Sequence, residues 1–397
     1  MKFLKFMAVA MLSLAVVGCN GNDPTDSPNE KSPFRVEVNT NYIQLGVDKA
    51  YFLVYLDDVL VEPASLIFFD AETNDIVTMN TLEVEIDGVK TAVPEWVPTK
   101  PETKHFWVAY NAYNNQKNPV SITAVDFALP DALEDPQPDN VSFVKRAFFC
   151  QFTGAGCGWC PFAKAAIYEV GAEDKYNDKF ITAAIYTFDN KEMLYPTKYG
   201  NIATTFGVTG YPTILFDMSG SFSVVKDHET NKRTVRAALD NTMNQQAKAG
   251  VSVNTASDSG DTFAIMATVK AAVDGEYYVG AWLVEDGIVA KQENYGSTAD
   301  IDFNTHNNVL RIADSGDNYI GHSLGAMKAG DTKDKLFVMS FEKDQLNNKG
   351  EVVKKAWVKE NCRLVVFVTT KVGNRISTTN VVTNSVYNEP IAFEYAE

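Results

Sequence analysis

The sequence is poor in cysteine and in basic residues, and it has no long hydrophobic run. Five cysteines among 397 residues are too few for a small domain held together by disulfides, and the odd number leaves at least one thiol without an internal partner. The 35 Lys and Arg stand against 51 Asp and Glu, a formal net charge of −16, which argues against nucleic acid as a partner. The 45% hydrophobic and 22% charged residues are globular values, and the length predicts two or three domains.

Several signatures of enzyme sites are also missing. The sequence has no phosphate-binding loop, no G-x-S-x-G elbow and no paired-carboxylate signature. A zinc site would need a second pair of ligands near its only C-x-x-C, and His228 stands alone there. We therefore predict no metal and no cofactor. Two Asp-Ser-Gly-Asp segments are interpreted as solvated turns rather than calcium loops, because neither has the spacing of a known calcium loop.

The N-terminus has the features of an export signal. The apolar run between Lys5 and Cys19 follows a basic start and is too short to span a membrane, so residues 1–18 are predicted to be a signal peptide. Val16-Val17-Gly18-Cys19 resembles a bacterial lipobox, which implies acylation of Cys19 and attachment to the membrane there; an ordinary signal peptide with a chance cysteine is the alternative. Residues 19–32 are polar and predict a flexible tether. Asn20 directly follows the cysteine, where lipoproteins retained in the inner membrane carry Asp. It therefore favours localisation to the outer membrane, on its periplasmic face or at the cell surface.

The rest of the chain changes its pattern twice. Short alternating strands over residues 33–133 predict an all-β, immunoglobulin-like sandwich, and the Pro- and acid-rich residues 134–140 predict a linker. Residues 141–250 alternate strands and helices, including a long helix from about Thr230 with Gly250 as its stop, which predicts an α/β domain. Residues 251–397 return to short strands, and we expect a second β-sandwich there.

The chemistry is expected in the middle domain. Cys157-Gly158-Trp159-Cys160 directly follows a predicted strand and opens a predicted helix. A thiol at a helix N-terminus faces unpaired N–H groups and the positive end of the helix dipole, and both favour the thiolate. The spacing also lets the two sulfurs meet in the first helical turn, so we predict a Cys157–Cys160 disulfide. This disulfide is either a redox-active pair or a structural cross-link.

A second segment, Gly210-Tyr211-Pro212-Thr213, leads into an apolar strand. Together with the strand, C-x-x-C and helix, it resembles the thioredoxin fold. That resemblance implies a cis Pro212 with Tyr211 touching the dithiol, Cys157 as the nucleophile and Cys160 as the resolving thiol. Two residues depart from the thioredoxin pattern. Between the cysteines, Trp159 replaces the proline of the usual Gly-Pro pair, and Gln151 stands where thioredoxin has a buried acidic residue. The expected fold class is thus an α/β thioredoxin-like domain flanked by two all-β immunoglobulin-like sandwiches.

A longer pattern is more specific. Cys150-Gln151-Phe152-Thr153-Gly154, followed by Cys157-Gly158-Trp159-Cys160-Pro161, resembles the signature of the outer-membrane-protein-twenty-eight-related lipoproteins of the Bacteroidota. His306-Asn307-Asn308-Val309-Leu310-Arg311 resembles a C-terminal segment of the same family. The resemblance implies an exported, membrane-anchored protein with a thioredoxin-like core, and it brings no known substrate. His306 and Arg311 are interpreted as groups that fix a corner of the fold.

These observations leave three functional hypotheses. The first is a lipoprotein oxidoreductase that exchanges disulfides with exported client proteins through a mixed disulfide on Cys157. The second is a non-enzymatic surface binding or adhesion lipoprotein in which the C-x-x-C is structural, and the third is a scaffold for envelope proteins. Cys150 and Cys362 are expected to be buried, unpaired thiols. The sequence does not specify the oligomeric state.

Overall fold

The structure of the protein is a computed structural model. It describes residues 33–188, 194, 199–257, 260–346, 349, 352–354, 356–372 and 375–396. The predicted signal peptide, tether and acylated Cys19 lie outside the described residues. The chain divides into two compact units between Ala128 and Leu129, here called the first and the second unit.

The first unit consists of two packed β-sheets. Its strands are β1 (Phe34–Val38), β2 (Tyr42–Gln44), β3 (Ala50–Leu56), β4 (Val59–Leu60), β5 (Ile67–Asp70), β6 (Ile76–Val77), β7 (Asn80–Ile86), β8 (Val89–Trp96), β9 (Glu102–Tyr110), β10 (Tyr113–Asn114) and β11 (Val120–Val125), with one 3-10 turn at Pro63–Ser65. One sheet has the order β1-β3-β8-β7, with β4 beside β3. The other has the order β2-β11-β9-β5-β6, with β10 beside β9.

Aromatic rings fill the space between these two sheets. Phe52 on β3 meets Phe106 on β9 edge-on, with the ring centroids 5.1 Å apart, and Trp96 contacts Phe106 at 5.2 Å. The hairpin of β7 and β8 turns through Asp87 and Gly88, both with positive φ, as a tight two-residue hairpin turn requires. Strands with apolar side chains on one face therefore bury those faces against each other, which makes the first unit a β-sandwich.

The second unit contains the helices and a second set of strands. Its strands are β12 (Ala147–Thr153), β13 (Phe180–Tyr186), β14 (Thr213–Phe216), β15 (Gly220–Phe222), β16 (Ala249–Ser257), β17 (Thr262–Ala271), β18 (Gly275–Glu285), β19 (Ile288–Val289), β20 (Thr305–His306), β21 (Val309–Asp314), β22 (His322–Met327), β23 (Thr332–Ser340), β24 (Gln345–Leu346), β25 (Val352–Lys354), β26 (Cys362–Val372) and β27 (Arg375–Thr383). Its helices are α1 (Cys160–Gly171), α2 (Ile202–Thr205) and α3 (His228–Met243), with a 3-10 turn at Lys359–Asn361.

One mixed sheet dominates this unit. Among the described residues its order is β15-β14-β12-β13-β21-β18-β26-β27, with β22 beside β18. Strand β12 runs parallel to β13, β13 runs parallel to β21, and the other neighbours are antiparallel. A three-stranded sheet, β16-β17-β23, shares a hydrophobic core with the β18 and β26 part of the mixed sheet.

The two faces of β12 are buried in different cores. Phe149 and its same-face neighbour Ala147 pack against α1 and α3. Phe148, on the opposite face, meets Trp282 of β18 and Phe367 of β26 at centroid distances of 5.3 and 5.2 Å. Since successive side chains of a strand alternate between faces, β12 joins the helical layer to the C-terminal strands.

The predicted fold class is therefore wrong. We expected an α/β thioredoxin-like domain between two all-β immunoglobulin-like sandwiches. Instead, the described part of the chain is mostly β, and β12–β15 belong to the same sheet as β18, β21, β26 and β27. The physical reason lies at the edge of β13, where Ala184 pairs with Val309 of β21. An edge strand can accept a further strand from a distant segment, and local periodicity does not reveal which segment this is.

The helix predictions need one further correction. Helix α3 begins one residue after Asp227, whose side chain accepts a hydrogen bond from the Thr230 backbone N–H at 2.8 Å. The helix ends at Met243, well before the predicted stop at Gly250. Gly250 instead lies in β16, where an added Cβ would come within 2.3 Å of the Phe143 ring. This glycine therefore allows close packing and does not terminate a helix.

Candidate functional site

The disulfide lies between the end of β12 and the start of α1. Cys157 and Cys160 are bonded, with their Cα atoms 5.4 Å apart. Cys160 is the first residue of α1, and its backbone N–H donates to the Cys157 carbonyl at 3.1 Å. Pro161 occupies the first helical turn, where its missing N–H costs no helical hydrogen bond. This close spacing is why the two sulfurs meet within one turn.

A segment from the C-terminal half of the chain covers the disulfide. This covering segment is defined as residues 290–297. Gln292 donates from Nε2 to the carbonyls of Gly154, Ala155 and Cys157 at 3.0–3.1 Å. The backbone N–H of Tyr295 donates to the Gly158 carbonyl at 2.9 Å. These hydrogen bonds fix the covering segment on the loop that carries Cys157.

As a result, both sulfur-bearing residues are buried. Cys157 is 5% exposed and Cys160 is 2% exposed. Trp159 between them is 37% exposed, and its ring lies 5.5 Å from that of Phe162 and 5.7 Å from the Lys226 ammonium. Solvent therefore reaches the indole far more easily than either sulfur.

The family-like segment His306–Arg311 helps to hold the covering segment. His306 is fully buried, donates from Nε2 to the Ala290 carbonyl at 2.9 Å, and accepts at Nδ1 from the Tyr186 hydroxyl at 2.6 Å. Burial raises the pKa of Tyr186, so this hydroxyl keeps its proton. Arg311 forms an ion pair with Glu285 at 2.6 Å. The segment thus fixes the start of the covering segment against β13.

Tyr211 and Pro212 lie before β14. The Tyr211–Pro212 peptide bond is cis, and Pro212 is buried. The Tyr211 hydroxyl is hydrogen-bonded to Thr187 Oγ1 at 3.0 Å, and its ring lies 5.1 Å from Phe188. Among the described residues, no hydrogen bond links Tyr211 to either disulfide cysteine. The catalytic roles predicted for Cys157, Cys160, Trp159, Tyr211 and Pro212 stay predictions.

The remaining two cysteines of the described chain are free thiols in separate places. Cys150 is buried on β12, and burial, with the nearby Asp217 carboxylate, raises the pKa of its thiol well above the usual value. Cys362 is buried at the start of β26, where burial also raises the pKa of its thiol. Both groups are therefore held as neutral thiols, which are poor nucleophiles.

The oxygen-rich turns form ion pairs within the protein. Asp314 contacts His322 at 2.6 Å, and Asp261 contacts Lys343 and Lys359, each at 2.7 Å. In the part of the chain that the structure describes, no three His, Cys, Asp or Glu side chains form a group that could hold a metal ion. None of the helices formed by these residues is long and apolar enough to cross a membrane.

A polar cavity of about 370 Å³ lies beside the disulfide. Its wall includes Cys160 and Lys164 of α1, Gln151 of β12 and Gln292 of the covering segment. The Lys164 ammonium donates to the carbonyls of Asp302, Phe303 and Thr305 at 2.7–3.3 Å, and burial lowers its pKa to about 8.

Sequence reasoning missed most of this arrangement. Gln151 was noted only as a departure from an acid, while Lys164, Gln292 and Tyr295 were not singled out. Only Gln151 carried a signal, because a polar side chain inside a buried strand needs an explanation. The covering segment lies about 135 residues after the disulfide in sequence, and no local pattern indicates such a contact.

Gly158 offers a direct test of the cover. A Cβ built at Gly158 would lie 2.3–2.5 Å from the Tyr295 ring, so Gly158→Ala forces the ring away. We expect this variant to lose about 1–3 kcal/mol of unfolding free energy, as overpacked sites do, and its disulfide to be reduced faster. Thermal unfolding measures the loss of stability, and alkylation at successive times after addition of dithiothreitol measures the rate of reduction. Gly210→Ala is the matched control, because nothing lies within 4 Å of its Cβ position; equal reduction rates in the two variants would contradict the covering role.

Just under half of the chain matches a family model of outer-membrane proteins. Residues 200–389 match the family model described as outer membrane protein Omp28. The relation to Omp28 lipoproteins that the motifs indicated is confirmed at this level, and so is the predicted outer-membrane localisation. The matched region includes His306–Arg311 and begins after the disulfide. The thioredoxin-like core that the resemblance implied is not supported.

Three solved structures are similar to parts of the chain. HBP35 of Porphyromonas gingivalis is 15% identical, with a TM-score of 0.48, over 62% of this chain and 76% of that chain. A domain of the outer membrane lipoprotein Omp28 from Porphyromonas gingivalis is 19% identical, with a TM-score of 0.23, over 36% and 89%. A DUF4785 family protein from Legionella pneumophila is 9% identical, with a TM-score of 0.19, over 90% and 56%. No curated protein matches this chain.

Proposed function

We propose that this protein is a non-enzymatic binding protein of the outer membrane, attached through a lipid on Cys19, and that its Cys157–Cys160 disulfide is a structural cross-link. The observation that carries the proposal is the burial of both cysteines beneath the covering segment. Disulfide exchange requires a thiolate to reach one of the two sulfurs. The hydrogen bonds from Gln292 and Tyr295 oppose that approach.

The surroundings of the disulfide support the same function. The three carbonyls that accept from Gln292 belong to the loop containing Cys157, so opening the cover would leave them without these partners. The loss of these hydrogen bonds destabilises the closed arrangement, although the Gly154 and Cys157 carbonyls also accept from backbone N–H groups of the same loop. Cys150 and Cys362 are buried neutral thiols. The cross-link therefore serves to hold the start of α1 in place.

Disulfide exchange with exported client proteins is the second candidate function. It is favoured by the exposure of Trp159 and by the position of Cys160 at the first residue of α1. In this function Cys157 would attack the client's disulfide, and Cys160 would resolve the mixed disulfide, with Tyr211 and Pro212 beside the client. The helix terminus would stabilise the attacking thiolate.

A trapping experiment separates the two functions. Cys160→Ser is expressed in the native host and cells are quenched with acid, so that any mixed disulfide on Cys157 survives. The purified wild-type protein is also assayed for insulin reduction in the presence of glutathione. Our proposal predicts no trapped client and no turnover above the rate of glutathione alone. Specific adducts on Cys157, lost when Cys157 is also replaced, would overturn it.

Removing the cross-link has a defined expected cost. The double variant Cys157→Ser with Cys160→Ser should lose about 2 kcal/mol of unfolding free energy, because a disulfide that closes a loop this short restricts the unfolded chain only moderately. Urea unfolding measures this loss. The wild-type protein unfolded and refolded under reducing conditions is the control and should match the double variant. A double variant as stable as the oxidised wild type would contradict the structural role.

A further inference from the structure

The cavity beside the disulfide is lined by two strands, by α1 and by segments from the C-terminal half of the second unit. Gln151 and Thr153 of β12 and Thr182 of β13 line it. Because side chains alternate along a strand, both β12 residues lie on the face of the sheet that α1 covers. The cavity thus lies at the carboxyl ends of two parallel strands, where open α/β sheets commonly bind ligands.

Two polar side chains of β12 lack a hydrogen-bond partner among the described residues. Gln151 is 6% exposed and Thr153 is buried, yet neither side chain forms a hydrogen bond with any described residue. Neither residue has a fully buried, unpaired polar atom, so the polar atoms of both side chains remain accessible to solvent. Both side chains line the cavity, so a polar ligand there would supply the missing hydrogen bonds.

Elsewhere on the cavity wall, existing hydrogen bonds fix the orientation of the amide groups of Gln292, Asn307 and Asn308. Gln292 uses Nε2 for backbone carbonyls, which leaves Oε1 as its free acceptor. Asn307 accepts from the Gly287 N–H through Oδ1 at 2.8 Å, which leaves Nδ2 as a donor. Asn308 accepts from Arg363 through Oδ1, which likewise leaves Nδ2. The cavity therefore offers both donors and acceptors on side chains whose positions are already set.

The charged groups of the wall are already occupied. The Lys164 ammonium donates to three backbone carbonyls. The Asp286 carboxylate accepts from the Asn308 N–H and pairs with Arg363. Among the described lining residues, the one cation and the one anion are both engaged, so the cavity favours an uncharged ligand. Groups that donate and accept at once, such as hydroxyls, match an amide and hydroxyl wall.

We propose that this cavity binds an uncharged sugar of one or two rings. A volume of about 370 Å³ lies in the range of small-molecule sites. Tyr168, which is 60% exposed and lines the cavity, supplies an aromatic face for the apolar side of a sugar ring. This inference rests on the proposed binding function, and it names the ligand class.

The test is a binding titration on the full-length, detergent-solubilised protein. Calorimetry measures glucose, galactose, mannose, N-acetylglucosamine and maltose, with glucuronate and glucose 6-phosphate as charged comparators. We expect at least one uncharged sugar to bind. Gln151→Leu should weaken its affinity by about tenfold or more, because the hydrogen bonds to the amide are lost. Gln245→Leu, at an exposed glutamine of the same unit, is the matched control and should leave the affinity unchanged.

A second variant distinguishes the loss of a ligand hydrogen bond from misfolding of the protein. Thr182→Val keeps the shape of the side chain and removes only the hydroxyl, so it should also weaken sugar binding while the melting temperature is retained. Preference for the charged comparators, no binding of any uncharged sugar, or equal affinity in Gln151→Leu and Gln245→Leu would overturn the inference. If no sugar binds while the disulfide remains inert, only this inference fails. If the disulfide exchanges with clients, the proposed function fails whatever the titration shows.

Discussion

Replacing Asp217 by asparagine is expected to lower the unfolding free energy of the second unit by about 3–5 kcal/mol, the usual cost of removing one partner from a buried ion pair. Asp217 follows β14 and is buried. Its carboxylate lies 3.6 Å from the Lys145 ammonium and accepts from the Phe148 N–H and the Thr242 hydroxyl. Burial raises the pKa of Asp217 and lowers that of Lys145. Burying these two charges thus costs free energy, and each charge is stabilised by the other.

Asparagine isolates the charge from the other roles of this residue. Asp217 has a φ of 49°, a conformation that asparagine tolerates. Its backbone, which accepts from the Thr378 N–H and so links β14 to β27, is unchanged by the substitution. The amide oxygen can still accept from Phe148. The expected loss therefore reports the Lys145 ammonium left without its counter-charge.

A double-variant cycle with thermal and urea unfolding checks this prediction. Lys145→Met combined with Asp217→Asn should recover part of the loss, because the uncompensated charge is gone. Asp240→Asn is the matched control: its carboxylate pairs with Lys175 at the surface, 2.6 Å away, and accepts from the Tyr176 hydroxyl, and exposed pairs contribute little to stability. Equal losses in Asp217→Asn and Asp240→Asn, or strict additivity in the double variant, would contradict the ion-pair argument.

Gln292→Ala is expected to have the second-largest effect. It removes the Nε2 donor from the carbonyls of Gly154, Ala155 and Cys157. We expect a loss of about 2–3 kcal/mol, because both N–H donors of the amide are removed, while each of the three carbonyls keeps one backbone N–H donor. The covering segment should also open more often, so that the disulfide is reduced about tenfold faster or more.

Timed alkylation followed by mass spectrometry measures that rate in the folded protein. Gln245→Ala is the matched control, because its side chain is exposed and, among the described residues, hydrogen-bonds only to the Asn241 carbonyl. The same assay on Gln292→Ala and Gln245→Ala compares the two glutamines directly. Unchanged reduction and stability in Gln292→Ala would mean that the covering segment does not protect the disulfide.

Local features of the fold could be predicted from the sequence better than its global arrangement. Ala163, Ala166 and Val170 recur at the spacing of one helical face, and this local pattern is enough to predict α1. Asp87-Gly88 predicts a turn, because both residue types favour the positive φ that a tight hairpin requires. The pairing of Ala184 with Val309 joins segments far apart in sequence. No periodicity encodes such a pairing, and the prediction of a separate thioredoxin-like domain failed there.

The candidate site shows the same contrast between local features, which the sequence predicts, and tertiary contacts, which it does not. Two cysteines three residues apart before an apolar helix indicated a disulfide, since spacing alone brings the sulfurs together. Spacing could not show whether the sulfurs are accessible. That depends on Gln292 and Tyr295, which reach the disulfide through the tertiary fold and whose residue types are unremarkable in a surface loop.

The most direct test of the structural role is the rate at which dithiothreitol reduces Cys157–Cys160 in the folded protein compared with the urea-unfolded chain. Alkylation and mass spectrometry at successive times give both rates. With both cysteines buried under the covering segment, reduction in the folded state requires local opening. We predict that the folded protein is reduced at least about 100-fold more slowly than the unfolded chain. Equal rates would contradict a protected structural cross-link and favour an accessible, exchanging disulfide.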